Sequence, residues 1–167
     1  MNALLKTIKQ TPVSKAFLKS RLPNGVKVVS YTFLKGKHRR EVFSNNKPVV
    51  VLIPKKGEKV GHFIVLLPWP RHIEYFSSLG GSPQSELAAL DEPLDIMKRL
   101  LGKQFVYNRT QLQSGDYHIN DCASWVLARV YLSHIKLRQF VQLFQRRTLS
   151  TPDDVVAMMT LLHFVSK

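Results

Sequence analysis

Two short, dense apolar runs most constrain how this chain can fold. "PVVVLIP" (48–54) and "GHFIVLLPW" (61–69) are rich in apolar and β-branched residues and are bounded by glycine or proline, as buried strands are. Neither approaches the roughly 20 apolar residues that a transmembrane helix needs. We therefore expect them to form the centre of a sheet, with "GHFIVLLPW" as its central strand and no membrane anchor.

The rest of the chain alternates between strand and helix patterns. Further strands are predicted at 25–34, 72–78 and 103–108. Helices are predicted at 3–19 with a break at Pro12, at 85–101, at 122–144 as the longest, and at the C-terminus with Thr151 as N-cap and Pro152 at the first helical position. This pattern predicts an α+β domain, with a small central mixed sheet flanked by helices.

Length and charge define the class of protein further. The chain has 167 residues, which fits a single domain, and its net charge is +14. Basic clusters such as 34–41 and 54–59 favour non-specific contact with DNA or RNA, although a solubilising surface explains them equally well. There is no zinc-finger, RNA-recognition or helix-turn-helix motif, so we do not expect sequence-specific binding.

The lone cysteine, Cys122, stands where a polar segment turns into a helix pattern. A single cysteine forms no internal disulfide, which suits a reducing compartment. With Asn120 and Asp121 as helix caps, Cys122 is expected in the first helical turn, where the helix dipole would lower the pKa of its thiol and favour a nucleophile. The alternative is that Cys122 is a small buried hydrophobic residue.

A nucleophilic cysteine needs a base and donors for an oxyanion. His62 begins the apolar strand and is the first candidate base, with His118 as a second. Gln111 and Gln113 precede Cys122 and carry amide donors. Taken singly, a structural histidine or a loop glutamine would explain each of them.

The motifs "GHFIVLLPWPRHIEYFSSLGGSP", "YNRTQLQS" and "DCASWVLARV" together resemble the adenovirus-protease-like cysteine peptidases. That family comprises maturation proteases of adenoviruses, virophages and related double-stranded DNA viruses, and it is distantly related to SUMO-processing proteases. The resemblance covers roughly residues 60–145. It implies a papain-like, SUMO-protease-like core with the nucleophilic cysteine at the start of a long helix.

The resemblance also implies roles for individual residues. Cys122 would be the nucleophile and His62 the general base. Gln113, or alternatively Gln111, would supply the oxyanion-hole amide beside the backbone N–H of Cys122. Trp69, Gln111 and Asp121 are expected to line a substrate cleft, which would be narrow enough to favour glycine-containing cleavage sites.

Two positions depart from the family pattern. Ser77 stands where the family has an acid, so it could orient His62 by a hydrogen bond to Nδ1–H but could not stabilise an imidazolium by charge. Glu74 could substitute for that acid, although strand alternation places it on the other face from Ser77. Ala123 replaces the glycine that follows the family's cysteine.

The function implied by the resemblance is that of a virion maturation cysteine endopeptidase. It would cleave capsid or core precursor proteins inside the virion or host cell, as a monomer that associates non-specifically with DNA. No cofactor would be required, although DNA or a basic peptide could activate it. Residues 1–167 are expected to form one protease domain, with 1–45 as a basic extension on or beside the core.

Two alternatives remain open. A catalytically weakened relative could act as a basic, DNA-associated structural virion protein. An unrelated nucleic-acid-binding protein could contain Cys122 only as a packed side chain.

Overall fold

The structure is a computed structural model that describes residues 2–10, 13–55, 61–115, 121–145 and 150–165. Within these residues the chain forms a five-stranded mixed sheet in the order β1-β2-β3-β4-β5. The outer pairs are parallel and the two inner pairs are antiparallel. The strands are β1 (Lys27–Ser30), β2 (Val49–Pro54), β3 (Gly61–Pro68), β4 (Ile73–Phe76) and β5 (Phe105–Tyr107).

The central strand is β3, as the sequence predicts, and both of its faces are covered. Phe63 and Val65 belong to one apolar cluster, whereas Ile64 and Leu66 belong to a second cluster on the opposite face. A strand buried on both sides needs apolar residues at consecutive positions, which explains why the run does not alternate with polar residues.

Helices cover the two faces of the sheet, which confirms the predicted α+β class. One cluster contains residues of α2, α6, α7 and α8, and the other contains residues of α3, α4, α5 and a 3-10 turn at Tyr31–Leu34. The helices are α1 (Asn2–Gln10), α2 (Lys15–Arg21), α3 (Arg39–Val42), α4 (Pro83–Ala89), α5 (Leu94–Leu101), α6 (Cys122–Tyr131), α7 (Leu137–Gln145) and α8 (Pro152–Val165).

The predicted long helix 122–144 is wrong, because the structure divides it into α6 and α7. The side chain of Arg129 explains the division: its guanidinium donates hydrogen bonds to the backbone oxygens of Leu132 and Ile135, at 2.7 and 3.1 Å. These carbonyl groups lie in the turn between the helices, where the oxygen of Leu132 also accepts a turn hydrogen bond from the N–H of Ile135 at 3.2 Å. The nucleophile candidate therefore begins a helix of ten residues.

The predicted helix 85–101 is also two helices, α4 and α5. Asp91 has a φ of 57°, in the left-handed region, and Pro93 immediately precedes α5. Proline lacks an N–H and disfavours helical geometry in the residue before it, so a helix continuing from α4 would break here.

At the N-terminus, the predicted strand 25–34 ends early, at Ser30, and the chain then enters the 3-10 turn. β1 pairs with β2 along its whole length, and the side chain of Leu18 on α2 is fully buried. The segment from residue 13 to 45 therefore contributes to the sheet and the core, and is more than an extension beside them.

The C-terminal helix begins as predicted. Thr151 Oγ1 accepts a hydrogen bond from the N–H of Asp154, and the carboxylate of Asp154 accepts one from the N–H of Thr151, both at 3.2 Å. α8 packs against α6 and α1, and Lys9 of α1 pairs with Asp154 at 2.7 Å. None of the helices in the described ranges has both the length and the apolar character needed to cross a bilayer.

Candidate active site

One end of β3 has an open edge, and the two candidate residues approach it from opposite faces of the sheet. Pairing between β3 and β4 stops at Val65 and Phe76, so the residues of β3 before Val65 have no partner on that side. Cys122 begins α6, which packs on β3, and its side chain packs against the apolar cluster that contains Phe63. The backbone of Phe63, the residue after His62, is close enough to lower the pKa of the Cys122 thiol.

His62 reaches the same edge from the other face of the sheet. It alternates with Phe63, so its side chain lies on the face that carries Ile64, whereas α6 covers the opposite face. The residue is only 8% exposed, and its ring Nε2 lies 2.9 Å from Ser77 Oγ. The sequence-based expectation placed this hydrogen bond on Nδ1; the ring nitrogen that Ser77 engages is instead Nε2, and Nδ1 has no hydrogen-bond partner within the described ranges.

A buried acid that sequence reasoning missed completes this cluster. Glu86 of α4 lies with its Oε2 4.0 Å from His62 Nε2, and the nearby Ser77 hydroxyl favours the charged form of its carboxylate. Its carboxylate accepts hydrogen bonds from Tyr75 Oη at 2.6 Å and from the N–H of Gly81 at 3.0 Å. Burial raises the pKa of Glu86, and these donors oppose that rise because they favour the charged form.

The two glycines of "SLGGSP" were the available signal for this acid. A Cβ on Gly81 would lie 2.6 Å from Cγ of Glu86, and a Cβ on Gly80 would lie 2.5 Å from the backbone of Thr110. Gly80 also has a φ of 73°, a conformation that glycine adopts without strain. Both glycines therefore let the turn after β4 pack closely against its neighbours, and Gly81 makes the space that Glu86 occupies.

The surroundings of the Ser77 hydroxyl indicate which nitrogen of His62 carries the proton. Its Oγ accepts from the N–H of Leu79 at 3.2 Å, and Ser77 lowers the pKa of Glu86, which is the effect expected when the hydroxyl proton faces that carboxylate. Ser77 then accepts from His62 Nε2–H, which leaves Nδ1 as the nitrogen with a free lone pair. This arrangement links His62 to a carboxylate through one hydroxyl group.

Asn108 holds Ser77 in place, a role that sequence reasoning missed. The Asn108 amide accepts from the N–H of Ser77 at 3.1 Å and donates to the Ser77 backbone oxygen at 2.6 Å. Asn108 follows β5, which is parallel to β4, so a side chain at the end of one strand reaches the end of the next. Both hydrogen bonds fix the Ser77 backbone beyond the last paired residue of β4.

The charge states of Cys122 and His62 differ from the expectation of an ionised thiol. Burial raises the pKa of the Cys122 thiol to about 11, and the N–H donors of Phe63, Ala123 and Cys122 itself only partly offset it. Burial also lowers the pKa of His62 to about 4. Their side chains form no hydrogen bond with each other in the described structure. At neutral pH the thiol and the imidazole are therefore both uncharged.

The structure separates the two candidate glutamines. Gln113 is buried and lies beside the site: its Oε1 accepts from Ser78 Oγ at 2.7 Å, and its backbone N–H donates to the Ser78 oxygen at 3.0 Å. Gln111 is exposed, and its amide donates to the backbone oxygen of Gln113 at 3.0 Å. Gln113 is therefore the glutamine that lies next to the Ser77 turn, and Gln111 supports its loop from outside.

Asp121 was expected to line the substrate cleft, but it is only 1% exposed and does not do so. It occupies the N-cap position of α6, but its side chain makes no capping hydrogen bond, and neither carboxylate oxygen has a partner. Burial and the neighbouring carboxylate of Asp153 raise the pKa of Asp121. Asp153 itself accepts from Trp125 Nε1 and from the N–H of Ser114, both at 2.9 Å. A protonated Asp121 can therefore donate to Asp153.

Trp69 and Glu74 lie away from the candidate centre. Trp69 follows the far end of β3, about 20 Å along the strand from His62, so the expected role in a cleft beside His62 is not supported. The Glu74 carboxylate is bound by the Arg129 guanidinium at 2.7 and 2.8 Å and by Trp69 Nε1 at 3.1 Å. Glu74 therefore does not substitute for the missing acid.

Two further expectations, for His118 as a second base and Asn120 as a helix cap, lie outside the described residues. Within the described ranges, no three or more histidine, cysteine or acidic side chains are grouped so that they could hold a metal ion.

Fold and site together define an α+β domain with a five-stranded mixed sheet and a cysteine at the start of a helix. No protein-family model matches the chain, and no curated protein matches it. Among solved structures it is similar to the central domain of the uncharacterized Lpg1148 protein from Legionella pneumophila, with a TM-score of 0.51 and 12% identity over 93% of this chain and 98% of that chain. At this identity the similarity concerns the fold alone.

Proposed function

We propose that this protein is a cysteine endopeptidase in which Cys122 is the nucleophile and His62 the general base. The observation that carries the proposal is that both residues lie at the open edge of β3, on opposite faces of the sheet. There Cys122 packs against the cluster that contains Phe63, and His62 contacts Ser77 at 2.9 Å with the buried Glu86 beside them. The sequence resemblance to adenovirus-protease-like peptidases supports the same assignment.

Because Cys122 and His62 are both uncharged in the free protein, the first step would include transfer of the thiol proton. Attack of the Cys122 sulfur on the substrate carbonyl carbon forms the C–S bond while the thiol proton passes to Nδ1 of His62. In the free protein the two side chains lie on opposite faces of the sheet and are not hydrogen-bonded, so this transfer needs the imidazole to come round the open edge of β3 towards the sulfur when substrate binds. The Glu86 carboxylate stabilises the imidazolium through Ser77.

The later steps return the site to its starting state. The imidazolium gives its proton to the departing amine nitrogen as the C–N bond breaks, which leaves a thioester on Cys122. His62 then takes a proton from water, and the resulting hydroxide attacks the thioester carbon. The C–S bond breaks, the sulfur takes the proton back from His62, and the carboxylic acid product leaves. The backbone N–H of Cys122 and the amide of Gln113 are the proposed donors to the oxyanion.

The same resemblance suggests the biological substrates. Capsid or core precursor proteins with glycine-containing sites are proposed as substrates, inside a virion or the interior of a host cell. The net charge of +14 supports non-specific association with packaged DNA. Activation by DNA or a basic peptide belongs to this proposal as well.

The test is hydrolysis of a panel of fluorogenic peptides with glycine-containing cleavage sites by the full chain. We expect turnover that Cys122→Ser abolishes and that Gln113→Ala lowers about 100-fold in kcat. The matched control is Gln84→Ala, an exposed glutamine on α4, which should retain the wild-type rate. Equal rates in wild type and Cys122→Ser would refute the proposal.

One alternative has specific support. The serine at position 77 and the raised thiol pKa favour a weakened relative that serves as a basic, DNA-associated structural virion protein. This alternative predicts no turnover and no covalent trapping of a peptide aldehyde on Cys122, with DNA co-sedimentation unchanged in Cys122→Ser. Trapping on Cys122 that depends on His62 would exclude it.

A further inference from the structure

A cleft on the α7 side of the sheet is separate from the Cys122 centre. It has a volume of about 540 Å³, within the range of roughly 300–1,000 Å³ that small-molecule sites occupy. Its walls come from the β3–β4 turn, from β5 with the residues after it, and from α7. No residue with a role in the proposed hydrolysis lines it, apart from Asn108, which supports Ser77.

The cleft offers flat aromatic surfaces. Trp69 and His72 stack on one wall with ring centroids 6.1 Å apart and planes 18° apart, and both are half-buried. Tyr107 of β5 lies in another wall, also half-buried, with the guanidinium of Arg109 5.5 Å from its ring centroid. Aromatic faces of this kind bind planar rings, including nucleic-acid bases, by stacking.

The cleft also carries positive charge that nothing in the described structure neutralises. Arg109, Lys136 and Arg138 are exposed on its lining, and none of them forms an ion pair with an acid in the described ranges. The one acid in the lining, Glu74, is already neutralised by Arg129 at 2.7 Å. An anion entering the cleft would therefore meet three cations and no uncompensated acid.

We infer that this cleft binds a nucleotide, with its base against the aromatic side chains and its phosphate among Arg109, Lys136 and Arg138. An inorganic anion would use the cations but leave the apolar volume empty, and an acidic peptide would leave the flat ring surfaces without a planar partner. The nucleotide is either free or part of a single strand, since both present the same ring and phosphate. The inference does not depend on the proposed peptidase activity.

The test uses the two tryptophan indole N–H signals in a nitrogen–proton NMR spectrum of the full chain. Trp69 lines the cleft, whereas Trp125 is fully buried and bound to Asp153, so it reports on global change. Adenosine monophosphate should shift the Trp69 signal and leave that of Trp125 in place. It should bind at least about tenfold more tightly than either adenosine, which lacks the phosphate, or ribose 5-phosphate, which lacks the base.

Variants show whether the binding belongs to the cleft. Lys136→Gln with Arg138→Gln should weaken binding of the monophosphate about tenfold or more. The matched control, Arg40→Gln with Lys98→Gln, removes the same charge from exposed positions outside the cleft and should change binding less than about twofold. Circular dichroism of each variant checks that the fold is kept.

A titration with the single-stranded oligonucleotide hexathymidylate shows whether the cleft binds a free nucleotide or a nucleic-acid strand. Tighter binding of the strand than of the monophosphate, with a steep salt dependence and the same loss in the cleft variant, would assign the cleft to single-stranded nucleic acid. Equal binding would assign it to a free nucleotide. The inference is overturned if neither ligand shifts Trp69, if both double variants weaken binding equally, or if inorganic phosphate or an oligo-aspartate peptide binds as tightly.

Discussion

Replacing His62 by glutamine should remove a pH dependence of stability that can be sized from the structure. Burial lowers the pKa of His62 from 6.5 to about 4. Between these values the unfolded chain binds a proton at this position and the folded chain does not, so stability falls as pH falls. The full interval, at about 1.4 kcal/mol per pH unit, corresponds to about 3 kcal/mol, and the part between pH 7 and pH 5 to about 2 kcal/mol.

The assay is urea unfolding of wild type and His62→Gln at pH 7 and pH 5, with the free energy of unfolding extrapolated to water. The variant loses the hydrogen bond to Ser77 at both pH values, so only the difference between the two pH values is informative. We expect wild type to lose about 2 kcal/mol more than the variant on acidification. The matched control, His134→Gln, changes an exposed histidine and should behave like wild type.

Other buried groups act in the opposite direction. The raised pKa values of Glu86 and Asp121 mean that the folded state holds their protons more tightly, so these groups lower stability as pH rises. They are present in both proteins and cancel in the comparison, except that Glu86 lies 4.0 Å from the His62 ring. Repeating the pair in a Glu86→Gln background removes that coupling. Equal pH dependence with and without His62 would refute the assignment of a buried, neutral imidazole.

Three further predictions test neighbouring features. With its pKa near 11, the Cys122 thiol should react with iodoacetamide at pH 7 roughly 100-fold more slowly than a free cysteine, and an inflection of the rate near neutral pH would contradict this. Asp121→Asn removes a buried carboxyl group whose oxygens accept no hydrogen bond, and its amide can donate to Asp153. The free energy of unfolding should therefore rise by about 1–3 kcal/mol, and by more at pH 8 than at pH 5. A rise that is the same at both pH values would argue against this. Arg129→Met should lower the free energy of unfolding by about 3–5 kcal/mol, because it leaves Glu74 charged and buried, and adding Glu74→Gln should recover part of that loss. Strictly additive losses of the two substitutions in denaturant unfolding would count against the ion pair.

The sheet could be predicted because its strands are short, apolar and separated by strong turn residues. β2 and β3 match their predicted runs to within one residue, since burial on both faces leaves a continuous signal in the sequence. The helix pairs were harder. The apolar spacing continues through Leu132 and Ile135, and only the folded position of Arg129 shows that their carbonyl groups are satisfied by a side chain instead of a helix.

The candidate site was predictable only in part, for a related reason. His62 and Cys122 stand out as residue types at the ends of regular elements. Glu86 lies in an ordinary helix pattern, and its role depends on the distance across to β3 and on the space left by Gly81. The environment of Asp121 likewise depends on α8, which a local helix-cap pattern does not contain.

The presence of Glu86 explains why a serine at position 77 is compatible with a carboxylate in the site. An acid at that position would bring a second carboxyl group close to Glu86, in surroundings where burial already raises the pKa of Glu86. Like charges so close could not both ionise, so one would be protonated and the local negative charge would stay at about one. A serine instead accepts from Nε2 and passes its own proton toward Glu86, which keeps a single carboxylate one hydroxyl away from the imidazole. The serine is therefore compatible with a charged third member of the site, supplied by α4 instead of β4.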